Sequence, residues 1–112
     1  MKGSFSEVKV FQVKPEKIEE FESLASQMAE SQEKREGCLG IRYMKRFYVF
    51  DDINEKPRKL TRIVKCIKYY SYWEFDSIES YAKATSWFFE TYNQVFRLLI
   101  MPFDINCGES LF

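Results

Sequence analysis

Between Tyr69 and Phe89 the spacing of apolar residues changes once, and a chain that does this has to turn a strand into a helix at that point. Tyr69-Tyr70-Ser71-Tyr72-Trp73-Glu74-Phe75 is aromatic and free of helix breakers, which suits a pleated, half-buried surface. From Asp76 onward the apolar positions fall three and four apart, the period of a helix. Asp76 or Ser77 can cap that helix by accepting from its unpaired backbone N–H groups, and Glu79 adds a carboxylate to the positive first turn. The rest of the chain has to pack around this corner.

Residues 5–13 place Val8, Val10 and Gln12 on one parity and Glu7, Lys9, Phe11 and Val13 on the other, a first strand with apolar character on both faces and hence a central or covered one. Pro15 suits the first position of a helix, and Ile18, Phe21, Leu24, Ala25, Met28 and Ala29 follow at helical spacing, with Gly37 in a position to close the segment. Residues 39–50 predict a second strand, and Asp51 to Arg58 a polar connection. Leu60 to Trp73 predict a third strand, long enough to need a bulge or bend, with Ile63, Ile67 and Trp73 on one parity and Val64 and Cys66 on the other. Strands two and three pair as an antiparallel hairpin. A second helix runs from Ser77 to about Glu90, and Val95 to Met101 extend it or form a short further helix before Pro102. The tail from Phe103 to Phe112 supplies a fourth strand. This order, βαββαβ, is the ferredoxin-like split βαβ arrangement of the α+β class, an antiparallel sheet with helices on one face.

At 112 residues the chain has room for one domain, 1–112, and none for a second. Lys plus Arg equals Asp plus Glu, so no global field draws it to nucleic acid or an anionic membrane. No stretch approaches the roughly 20 apolar residues needed to span a bilayer, and the N-terminus lacks a signal-peptide core, so the cytoplasm is the default location. Cys38, Cys66 and Cys107 are odd in number and scattered, as reduced thiols would be. The histidine count is zero, which removes Ser-His-Asp and Cys-His nucleophiles and imidazole ligands for zinc or haem iron. No metal and no cofactor are expected. Aromatic residues make up 18% of the chain, more than a core of this size needs, so a partner surface should cover some of them.

With this element order, the chain resembles the antibiotic biosynthesis monooxygenase family of small dimeric α+β barrel proteins. The likeness runs along the whole length. It is carried by Glu36-Gly37-Cys38-Leu39-Gly40, where the family tends to have Pro-Gly before its second strand, and by Tyr72-Trp73-Glu74 followed by Ser77-Ile78-Glu79-Ser80-Tyr81. The resemblance implies a homodimer whose sheets face each other, with a pocket in each subunit between helices and sheet. Members include cofactor-independent oxygenases of polycyclic phenols and haem-degrading relatives. Trp73 matches the strand-end position where quinone-forming members carry a pocket Trp, but Tyr69 stands where they have a polar Asn. The region in which haem-degrading relatives use an Asn, a Trp and a His offers Val8, Tyr81 or Ala84, and Tyr92.

Trp73 suits core packing at a strand end; its functional role would be to stack on an aromatic substrate. Alternation puts Tyr69 with Trp73 on one face of the strand and Tyr70 with Tyr72 on the other. Phe88, Tyr92 and Phe96 form an i, i+4, i+8 series, ordinarily core, in which Tyr92 has the polar tip that can orient a ligand. Arg42 is a candidate for an acidic group on the ligand. The candidate site is therefore Trp73 and Tyr92 as catalytic residues, with Tyr69, Phe88, Phe96 and Arg42 binding substrate. Two functions fit: a cofactor-independent monooxygenase acting on a small aromatic or phenolic substrate, or a non-catalytic module of the same fold that binds a small hydrophobic ligand or only dimerises.

Overall fold

The computed structural model describes residues 2–63 and 65–112. Its first strand, β1 (Phe5–Val13), leads through a 3-10 turn at Pro15–Lys17 into α1 (Ile18–Glu33). β2 (Cys38–Lys45) follows, then a small ribbon of β3 (Tyr48–Val49) and β4 (Arg58–Lys59), and then β5 (Ile67–Phe75). α2 (Ile78–Thr91), a 3-10 turn at Asn93–Leu98 and β6 (Asp104–Glu109) complete the chain. The sheet has the order β2-β5-β1-β6, with β1 antiparallel to both β5 and β6, and β2 antiparallel to β5. This is the ferredoxin-like order expected from the sequence.

β1 alternates as its sequence does. Glu7, Lys9, Phe11 and Val13 are buried on the face that the helices cover, while Val8, Val10 and Gln12 are half-buried on the other. In β5 the buried parity is Ile67, Tyr69, Ser71, Trp73 and Phe75. α1 lays Phe21, Ala25, Met28 and Gln32 onto this face, one residue per turn, and α2 adds Ala84 and Phe88. Each phenylalanine buried this fully stabilises the fold by roughly 1.5–3 kcal/mol relative to an exposed one.

The strand-to-helix corner closes as the spacing predicts. Ser77 is the cap, its hydroxyl accepting from the Ser80 N–H at 3.1 Å. Gly37 takes φ +83° in the turn into β2, and its carbonyl accepts from the Asp76 N–H at 2.9 Å. A Cβ at Gly37 would stand 2.5 Å from Ser80 Oγ and 2.6 Å from Asp76 Oδ1, so the residue meets both a backbone and a space requirement.

The hairpin end differs from its expectation. One strand over 39–50 and another over Leu60–Trp73 are replaced by β2 ending at Lys45, β5 beginning at Ile67, and the separate ribbon between them. After the Arg46 N–H bonds the Lys68 carbonyl, the two segments leave the sheet; 46–62 are mostly exposed, and an apolar run with no ladder partner does not hold a strand. The bulge or bend expected in the third strand is not in β5; the register shift of the β2–β5 pair lies in β2, between Cys38 and Gly40. Ile63, Ile67 and Trp73 do face or pack on the core, whereas the parity expected of Val64 lies outside the described residues. Val95 to Leu98 lie in a short further helix, one of the two outcomes expected, but it is a 3-10 helix that begins at Asn93 after α2 ends at Thr91, and 99–101 lie beyond it.

Candidate functional site

Two regions on the helix-covered face gather polar and aromatic side chains. The first is a cleft of about 340 Å3 between α1 and the sheet, walled by Glu22, Ala25, Ser26, Ala29, Tyr43, Lys45 and Tyr69. α1 turns small residues toward it, which leaves the room, and β2 and β5 supply the rings. At its mouth the Lys45 ammonium sits 2.8 Å from Glu22 Oε2, and the Tyr69 hydroxyl donates to the same oxygen. Lys45, and after it Tyr69, hold the Glu22 carboxyl below the usual carboxylate range. Burial, reinforced by the Glu22 charge, pushes the Tyr69 phenol above its ordinary value. Deeper in, the Tyr43 hydroxyl donates to Gln32 Oε1 at 2.6 Å, and burial with the nearby Glu7 charge raises its pKa as well.

The second region is a buried polar centre. In sheet register Lys9 stands opposite Ser71, and Ser71 opposite Tyr43, so these three form one row across the middle of the sheet. Glu7, Trp73 and Ile41 form the neighbouring row. Lys9 and Glu7 are both fully buried. Their charges lie 2.8 Å apart from Nζ to Oε1, an ion pair by distance, although neither atom makes a well-aligned hydrogen bond. Glu7 Oε2 accepts from the Tyr81 hydroxyl, which in turn receives a weak contact from the Cys107 thiol at 3.6 Å. The Lys9 ammonium lies 4.1 Å from the Phe88 ring centre and 5.3 Å from that of Trp73. Burial lowers the Lys9 pKa and Glu7 opposes the shift, while Tyr81 is pushed up by burial and by Glu7.

Of the residues singled out on the sequence, Trp73 and Phe88 are solvent-inaccessible with ring centres 6.1 Å apart, and Phe88 also meets Tyr92 at 5.6 Å. Phe88 thus joins Trp73 to Tyr92, whose hydroxyl is engaged with Ser31 Oγ at 2.8 Å. Tyr69 stands apart from them in the cleft. Phe96 meets Phe89 and Phe103 instead of Tyr92, because the 3-10 turn breaks the i, i+4 series, and it is 40% exposed. Arg42 is exposed in β2 opposite Tyr72, on the far side of the sheet from Tyr69. Glu7 and Lys9 were not singled out. Their signal lay in the alternation of β1, which puts two charges on the same parity as Phe11 and Val13. Among the described residues no group of three or more Cys, Asp or Glu is placed to hold a metal ion, and no helix is long and apolar enough to cross a membrane.

The model of the family described as antibiotic biosynthesis monooxygenase matches residues 4–56. A search of curated proteins finds no match. Among solved structures, a conserved protein from Methanosarcina mazei superposes with a TM-score of 0.69 at 21% identity, covering 97% of this chain and 94% of that one. A Nitrosomonas europaea protein named for the same family gives 0.74 at 10% identity, over 100% and 94% of the two chains. SnoaB, a cofactor-independent oxygenase from Streptomyces nogalater, gives 0.66 at 12% identity, over 96% and 93%. Over residues 4–56 the chain is similar in sequence to the antibiotic biosynthesis monooxygenase family, as its sequence suggested, and over nearly all of its length it shares the fold of these solved structures.

Proposed function

We propose that this protein is a cofactor-independent monooxygenase-like oxidoreductase that takes a small aromatic or phenolic substrate into the cleft between α1 and the sheet. The observation that carries this reading is the cleft, whose volume of about 340 Å3 falls in the range of small-molecule sites and whose walls set two tyrosine rings and two alanines beside Ser26 and the Glu22–Lys45 pair. In such chemistry the reduced substrate donates the electron to oxygen, and the protein supplies orientation, exclusion of water and proton handling. Tyr69 and Tyr43 hold the ring. Trp73 and Tyr92, joined through Phe88 in an aromatic cluster on the same face that does not line the cleft, are the candidate catalytic groups of this reading, with Phe96 farther along against Phe89 and Phe103. Arg42, across the sheet, belongs with a second copy of the chain packed on the outer face, where Val8, Val10 and Tyr70 are half-buried and Met44 and Tyr72 exposed.

Oxygen uptake with a panel of anthrones and hydroquinones tests the proposal. Uptake above autoxidation, with weaker binding in Trp73→Phe and lower turnover at unchanged binding in Tyr92→Phe, is the expected result. A second reading, a ligand-binding or dimerising module without catalysis, is favoured by the complete closure of Trp73 and Phe88. Absence of uptake with every substrate, together with measurable binding of one of them, would select it.

A further inference from the structure

The chain carries no net charge, but its charges are not evenly spread. The backbone bond between Arg46 and Lys68 marks where the chain leaves the sheet and returns to it. Between those two residues, inclusive, stand seven Lys or Arg against three Asp or Glu, so this arm has a net charge of +4 and the remainder of the chain −4. Arg58 pairs with Asp51 inside the arm. Among the described residues Arg46, Lys56, Lys59, Arg62, Lys65 and Lys68 make no ion pair.

The ribbon within the arm has two faces. Phe47, Val49 and Leu60 are half-buried on one parity, and Phe47 packs against the core cluster. On the other parity Tyr48 stands directly across from Lys59, with Phe50 next along the strand. Tyr48 is 56% and Phe50 62% exposed. Open aromatic rings beside cations are the make-up of an interface, and a merely solvated hairpin has no use for the rings.

A surface of the opposite character lies on the same molecule. α1 contains five Glu and no Lys or Arg. Glu16, Glu20, Ser23, Gln27 and Glu30, spaced four and three apart, form one stripe along it. Lys17 meets Glu20 at 3.5 Å and Lys34 meets Glu30 at 3.9 Å, but both pairs are exposed and weak. Beside the stripe, between α1 and the 3-10 turn Asn93–Leu98, runs a groove of about 300 Å3 in which Leu24 and Leu98 are the apolar members and Glu20 is the charged one. It has room for an aromatic side chain.

We propose that the arm of one copy docks on α1 of a second copy, with Phe50 in the groove and Lys56 and Lys59 against Glu16 and Glu20. Charge complementarity chooses this occupant. A nucleic acid or an anionic membrane would meet Asp51, Asp52 and Glu55 in the arm's own turn and the −4 of the remaining chain, whereas α1 of a second copy supplies the missing anions. Arm and seat are different surfaces, so the contact is heterologous and adds to any packing of the sheet faces. It does not depend on the cleft reading above.

Sedimentation velocity at about 0.01 M salt, where charges act over about 30 Å, and at about 1 M, where they act over about 3 Å, provides the test. The wild type is expected to form heavier particles at low salt than at high salt. Lys56→Glu/Lys59→Glu reverses the arm and Glu16→Lys/Glu20→Lys reverses the seat. Either variant alone should keep its high-salt mass at low salt, and an equal mixture of the two should grow as the wild type does, which also shows that both are folded. Phe50→Ser keeps every charge and should weaken the low-salt association about tenfold. No growth of the wild type, growth of either reversed variant alone, a mixture that does not grow, or Phe50→Ser associating as the wild type does would overturn the proposal. So would arm-dependent binding of a mixed-sequence single-stranded DNA, read by fluorescence anisotropy, in a protein that does not self-associate: the arm would then belong to a polyanion.

Discussion

Lys9 and Glu7 are a costly pair to keep. Taking both charges out of water is repaid only in part by their mutual attraction, so stability alone gives little reason for them. Lys9→Met alone leaves the Glu7 carboxylate buried without its partner and is expected to cost about 3–5 kcal/mol in urea unfolding. Replacing both, as in Glu7→Leu/Lys9→Met, should restore stability to within about 1 kcal/mol of wild type or exceed it, and a double variant as unstable as the single one would show that the pair is structural. Gly37 is a different kind of residue, fixed by geometry. Gly37→Ala forces a positive φ on a residue with a Cβ and drives that Cβ into Ser80 and Asp76, so a loss on the order of 2 kcal/mol is expected, measured by chemical denaturation.

At the level of elements, the strand-to-helix corner was legible because cap, period and turn residues all agreed. Ser77→Ala should lower stability by about 1 kcal/mol with the sheet unchanged, and a neutral effect would mean that Asp76 or water replaces the cap. α1 and β1 were legible from the period of their apolar residues alone, without a side-chain cap. The hairpin end was not, since 61–63 have strand-like residues but no ladder partner beyond the short ribbon, and propensity does not report where a neighbouring strand ends. The candidate site divided in the same way. Alternation placed Tyr69 and Trp73 on one face correctly, but Tyr69 lines an opening while Trp73 is sealed by Phe75, Tyr81 and Phe88, a difference set by how α1 and α2 sit on the sheet. The buried pair was overlooked because Glu7 and Lys9 look like ordinary solvated strand residues until the helices cover them.

For the whole molecule, three of the seven tyrosines set the alkaline limit. Burial first, and then a carboxylate, holds Tyr43 and Tyr81 (Glu7) and Tyr69 (Glu22) above the ordinary phenol range. The unfolded chain ionises the same groups near 10, so the stability they contribute is fully present below about pH 10 and is lost as pH rises through their folded values. Lys9 has the opposite sign: its lowered pKa makes stability grow with pH up to about 10.4. Unfolding free energy is therefore expected to fall steeply only above about pH 10, with these three phenols ionising at 295 nm together with unfolding. Early titration of all seven tyrosines in the folded protein would contradict this. The outer face of the sheet predicts association, and sedimentation equilibrium at micromolar concentration should give twice 13.5 kDa; a clean monomer would rule out the packed-sheet dimer.

The strand order also imposes a schedule on synthesis. β1 is the inner strand whose two ladder partners, β5 and β6, are both made later, the nearer one beginning at Ile67. At ordinary translation rates β1 waits on the order of 3–10 s with both edges bare. During that time α1, which follows it directly, is the element able to shield its apolar parity, and the charges at Glu7 and Lys9 interrupt what would otherwise be an unbroken sticky strand. The residues that make the finished interior polar thus also protect the unfinished chain on its way off the ribosome.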